Sequence, residues 1–151
     1  MMAEKTCVKV LVEENGEHGF DSYRVPGIVT ASNGDLLLTY EGREVGGNSR
    51  TLFFRRYQQP AGERITMVSP KGEELLHNPL LIAAPEGRVY FFWCQDYQRL
   101  FLRESRDNGE TFGEERELTS LIDGFRKEWP VTLWAIAPGH GICKKDGILI
   151  L

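Results

Sequence analysis

The residues best suited to chemistry are polar side chains set in short patterned contexts: Tyr23-Arg24-Val25-Pro26, Glu41-Gly42-Arg43 and His77-Asn78-Pro79. A guanidinium is permanently charged and planar, so it can grip a carboxylate through two parallel N–H donors. Arg24 could do this, or could decorate the start of a strand fixed by Pro26. The stretch Ser105-Arg106-Asp107-Asn108-Gly109-Glu110-Thr111-Phe112 follows the pattern Ser-x-Asp-x-Gly-x-Thr-aromatic and suits structure rather than catalysis. There Asn108-Gly109 supplies a turn, Asp107 can accept hydrogen bonds from that turn, and Phe112 can anchor it. His18, His77 and His140 and the three cysteines Cys7, Cys94 and Cys143 show no metal-ligand spacing, so neither a metal nor a cofactor is expected. The cysteines read as reduced thiols.

The elements that must position these residues read as strands. Short apolar runs occupy residues 7–12, 27–31, 35–40, 51–54, 64–68, 79–83, 88–93, 99–103 and 147–151, with Asn-Gly, Pro-Glu-Gly, Asp-Asn-Gly and Lys-Asp-Gly turn signals between them. Only residues 120–129 suggest helix. The segments ASNGDLLLTY, APEGRVYFFW and KKDGILIL each place a glycine (Gly34, Gly87 and Gly147) just before a strand, at an interval that suits a propeller blade of about four strands. The predicted architecture is all-β, with blade-like repeats around residues 20–75 and 76–130 and the start of a third at 131–151. A plain meander of hairpins is the alternative.

With 41% apolar and 26% charged residues, the chain has the composition of one globular core. A formal charge of -4, with both signs interleaved, argues against a nucleic-acid partner. No apolar stretch reaches the length of a secretion leader's core or a membrane span, so no membrane partner and cytoplasmic residence are expected.

Taken in order, these motifs resemble the sialidase (neuraminidase) family. Tyr23-Arg24-Val25-Pro26 is similar to the family's Phe/Tyr-Arg-Ile-Pro, and Ser105 to Phe112 to its Asp box, a turn repeated in the blades. Glu41-Gly42-Arg43, His77-Asn78-Pro79 and Trp134-Ala135-Ile136-Ala137-Pro138-Gly139-His140-Gly141-Ile142 resemble its Glu-x-Arg, Asn-Pro and Gly-Pro-Gly-His segments. The resemblance implies the first two to three blades of a six-bladed propeller and, for the parent protein, removal of terminal sialic acids from glycoconjugates. Arg24 would then hold the substrate carboxylate, Arg43 would line the pocket with Glu41 orienting an arginine, and Asn78 would face the sugar. Tyr97 and Trp129 could stack on a sugar ring, or serve as core or rim aromatics like Trp93 and Trp134. The partners implied are sialylated glycans or free sialic acid.

The chain departs from the family pattern at one position. Sialidases carry an Asp acid/base a few residues after the second arginine, where this chain reads Arg43-Glu44-Val45-Gly46-Gly47-Asn48-Ser49-Arg50. Asn48 and Ser49 stand nearest and cannot act as a carboxylic acid, and Glu44 is the one carboxylate of the loop. The nucleophilic tyrosine, its glutamate and two further arginines of the family belong to later blades. An enzyme inactive in isolation is therefore expected, with a non-catalytic sugar-binding or structural propeller as the alternative. Leu151 closes the sequence inside an apolar strand, an edge through which copies of the chain could associate.

Overall fold

The computed structural model describes residues 9–47, 50–57, 62–130, 132–137 and 139–151. Strands β1 (Phe20–Thr30), β2 (Leu36–Glu44), β3 (Arg50–Tyr57) and β4 (Arg64–Val68) form an antiparallel meander in sequence order. The next four, β5 (Leu76–Ala83), β6 (Val89–Gln95), β7 (Arg99–Ser105) and β8 (Arg116–Glu117), repeat it. A short β9 (Gly139–His140) adds to the second sheet parallel to β5, and β10 (Ile142–Cys143) pairs with β11 (Leu149–Ile150).

Alternation along β2 shows why the sheets stack. Leu37, Thr39 and Glu41 lie on one face, with Leu38, Tyr40 and Gly42 on the other. Leu37 joins Leu52, Phe54, Met67, Leu76, Leu81, Phe91 and Trp93 in a core shared by the two sheets. Behind the second sheet, Leu80, Ile82, Phe92, Cys94, Leu100 and Leu102 form another core with Ile122 and Ile136. Ile122 belongs to helix α1 (Thr119–Glu128), close to the predicted span, and Arg126 and Lys127 lie in its last turn where the helix dipole favours cations. Burial raises the Cys94 thiol's pKa, and its sulfur accepts the Ile136 N–H at 3.5 Å.

The structure corrects several expectations. Residues 9–12 of the first predicted strand lie outside any sheet, because the segment crosses the outer face of the first meander. There Glu13, its carboxylate nearly buried, pairs with Arg55 at 2.9 Å and Arg64 at 3.4 Å and accepts the Tyr40 hydroxyl. Strand β1 begins seven residues earlier than its apolar run and includes Pro26, whose missing N–H falls within a register shift between Arg24 and Gly27. The C-terminal strand is not wholly unpaired, since β11 forms a hairpin with β10; Ile148, Ile150 and Leu151 nevertheless remain exposed. No described helix is long and apolar enough to cross a membrane.

Candidate functional site

Glu41 is the node of the site. Its position on the inward face of β2 carries its carboxylate into the space between the sheets, where it is fully buried. One oxygen accepts the backbone N–H of Asn78, on the neighbouring sheet, at 2.8 Å. The other accepts Arg43 Nε at 3.1 Å and Nη2 at 2.9 Å. A buried carboxylate persists only when such donors compensate its lost hydration. Arg43 is thus held by Glu41, with 29% of its side chain exposed.

Arg50 also reaches this carboxylate, at 3.6 Å, from the position on β3 directly opposite Arg43. No motif in the sequence marks it as a site residue. The signal was present in the hairpin itself, because the register of β2 with β3 decides which side chain faces Arg43.

Asn78 sits at the register shift of β5 with β6, in the left-handed region with φ 52°, a conformation that asparagine tolerates better than most residues. Its side-chain amide donates to the Ile136 carbonyl at 2.8 Å, so Asn78 joins the two sheets to the 132–137 segment. Beside it, His77 is fully buried and its Nε2 accepts the Tyr97 N–H at 3.0 Å. The two rings stack with centroids 4.0 Å apart. Burial first, and the positive charge of Arg50 second, lower the His77 pKa to about 4. The imidazole is neutral near pH 7. Tyr97 therefore has one ring face occupied by His77, whereas Trp129 is exposed just beyond α1 and Trp93 belongs to the core.

Arg24 lies opposite Glu41 in the ladder of β1 with β2. It is exposed, and among the described residues it has no ion pair. It borders an apolar depression of about 200 Å³ with Val12, Pro26, Leu38 and Tyr40. The next residue, Val25, has φ 55°, an uncommon conformation for a β-branched side chain. Such strain costs on the order of 1–3 kcal/mol and clusters where a side chain is being aimed. Of the acid/base candidates, Glu44 is exposed at the end of β2, while Asn48 and Ser49 lie outside the described residues. A degenerate second copy of the turn motif, expected at residues 55–63, falls partly outside them too.

The Ser105–Phe112 turn lies elsewhere and behaves as its composition requires. Ser105 Oγ donates to Asp107 at 2.7 Å and accepts the Gly109 N–H at 2.9 Å. Asp107 also accepts the Thr111 N–H at 2.9 Å and its hydroxyl at 2.5 Å. Desolvation opposes ionisation of Asp107, but these hydrogen bonds outweigh it and hold the carboxyl at about 2. Phe112 packs edge-on against Phe54, 5.1 Å between centroids. Gly109 has φ 84°, and a Cβ there would meet Phe54 at 3.0 Å. Asn108 accepts the Ser32 hydroxyl at 2.7 Å, and that hydroxyl accepts the Gly87 N–H at 3.0 Å. The turn therefore pins the β1–β2 and β5–β6 turns together, well away from Glu41. Among the described residues, no cluster of His, Cys, Asp and Glu could hold a metal ion.

The chain is similar to known sialidases. It is 23% identical over 171 residues to an exo-alpha-sialidase of Aspergillus fumigatus, an alignment covering 88% of this chain and 41% of that protein. Its fold matches the solved structure of Hadza microbial sialidase Hz136 with a TM-score of 0.71 at 20% identity, covering 90% of this chain and 33% of that one. The chain thus spans about two fifths and one third of the lengths of these two proteins. No protein-family model matches it. The fold is that of a sialidase β-propeller, seen here as two successive open sheets.

Proposed function

We propose that this chain supplies the first blades, and part of the substrate-binding surface, of a propeller that recognises terminal sialic acids and releases them from glycoconjugates. The observation that carries this reading is the Glu41 node, where one buried carboxylate holds Arg43 on one sheet and the Asn78 backbone on the next. A site assembled across blades is what a propeller uses to surround a small ligand. The role of Arg24 in this proposal is to receive the carboxylate of the sugar, which is ionised at neutral pH. Arg43 and Asn78 then contact the ring, and Ser105 to Phe112 serves as an Asp box that ties the blades together.

The chemistry of cleavage requires an acid at the glycosidic oxygen. Glu44, at the exposed end of β2, is the carboxylate next to Arg43 in the sequence and the candidate for this acid. A second reading, a propeller that binds sialic acid without hydrolysing it, is favoured by Asn48 and Ser49 standing where a sialidase carries its acid.

Titration of the chain with α-methyl sialoside, followed by NMR, tests recognition. Binding weakened by Arg24→Ala is expected, and no binding by the wild type would overturn the proposal. Hydrolysis of a fluorogenic sialoside by the gene product as its source expresses it then decides between turnover and binding alone.

A further inference from the structure

We infer that Arg50, rather than Arg43, offers the guanidinium of this node with hydrogen-bond donors to spare, and that it takes the carboxylate of the sugar ligand together with Arg24. This rests on the sialic acid reading above and adds a residue to it. Arg43 and Arg50 face each other directly in the ladder of β2 with β3. Like charges at opposed positions destabilise a sheet unless an anion lies between them.

Glu41 is that anion, but it is one charge against two. Its oxygens are engaged by the Asn78 N–H and by two donors of Arg43, whereas Arg50 stands at ion-pair distance, 3.6 Å. Among the described residues, the guanidinium of Arg50 donates no hydrogen bond and meets no other carboxylate. With 17% of its side chain exposed, it has lost most of its water while keeping solvent access. Its N–H donors are free of acceptors among the described residues, and a partly desolvated cation favours an acceptor that reaches it from the solvent side.

His77 cannot supply the missing negative charge, and its neutral state adds no further cation. The node therefore carries one net positive charge beside the exposed Arg24. A planar, singly charged acceptor fits this arrangement, and a sugar carboxylate is one.

The test compares α-methyl sialoside with its methyl ester, which keeps the ring and loses the charge, on the whole chain by NMR titration. The wild type should bind the acid at least tenfold more tightly than the ester, and Arg50→Gln should remove most of that difference by weakening acid binding far more than ester binding. Arg50→Lys should recover part of it, since it restores charge without the fork. If Arg24→Ala weakens acid binding and Arg50→Gln does not, the inference fails and the sialic acid reading stands. Equal weakening of acid and ester by Arg50→Gln would assign Arg50 a structural role and overturn the inference. A wild type that binds neither ligand overturns both.

Discussion

The carboxylate of Glu41, on the second strand of one sheet, accepts the backbone N–H of Asn78, on the first strand of the next, at 2.8 Å. Because the acceptor is a charged side chain and the donor is main chain, this link between the two blades depends on Glu41 and not on the side chain of residue 78. Replacing Glu41 by Ala strands two arginines and a backbone donor. A loss of about 3 kcal/mol is expected, measured as a lower urea midpoint, because breaking a buried ion pair leaves uncompensated charge. Glu41→Gln, which can still accept from Asn78, should cost less.

The pH dependence of stability should carry the signature of His77. Its folded pKa, about 4, is below the unfolded value near 6.5, so the unfolded chain takes up the proton first as pH falls. Stability is then lost progressively between about pH 6.5 and 4. In an NMR titration the His77 midpoint should lie near 4 and rise in Arg50→Gln, because the Arg50 charge helps to depress it. An unchanged midpoint would remove that coupling.

At lower pH, Asp107 takes over. Its carboxyl is held at about 2, so protonation of the unfolded chain near pH 4 precedes that of the native turn, and stability falls from about pH 4 to 2. Glu117, hydrogen-bonded by Arg99 and Thr119, is held at about 2 and contributes in the same window. Asp107→Asn should lower stability at neutral pH and flatten this acid limb, with Glu117→Gln flattening it further.

Two glycines should be intolerant for different reasons. A Cβ at Gly27 would lie 2.1 Å from the Gly139 carbonyl oxygen, so Gly27→Ala must push β1 away from β9. Gly109→Ala would combine a positive φ with contact against Phe54, at a cost of about 1–2 kcal/mol. Thermal unfolding of both variants checks this, and Gly27→Ala should show the larger loss.

The acid position can be tested by restoring it. If hydrolysis is limited by the amide at residue 48, Asn48→Asp should raise turnover of a fluorogenic sialoside by roughly 10²–10⁴ in the full gene product. If Glu44 serves as the acid, Glu44→Gln should lower turnover instead.

Most strands were legible because each sheet buries a face, and alternation of the kind seen at Leu37, Thr39 and Glu41 survives in the sequence. The first seven residues of β1 were not, since Pro26 argues against a ladder and only the register shift around Val25 accommodates it. The segment before Asn15 misled for the opposite reason. Its apolar pattern suits a strand, yet residues 9–12 have no partner strand, and Glu13 instead anchors the segment to arginines. Within the site, Glu41, Arg43 and Asn78 could be picked out by resemblance. Arg50 could not, because its approach to Glu41 comes from facing Arg43 across a hairpin, a relationship that local spacing does not display.

The two cross-sheet attachments, Glu41 to Asn78 and Ser32 to Asn108 and Gly87, have a mechanical consequence. They engage β2 near Glu41 and the turn just before Leu36, points roughly 17 Å apart along an extended strand. A single attachment would leave the sheets free to pivot like a door on one nail. Two, with a packed core between them, make a joint that resists both rotation and sliding, so the separation of Arg43 from Asn78 is fixed by the fold itself.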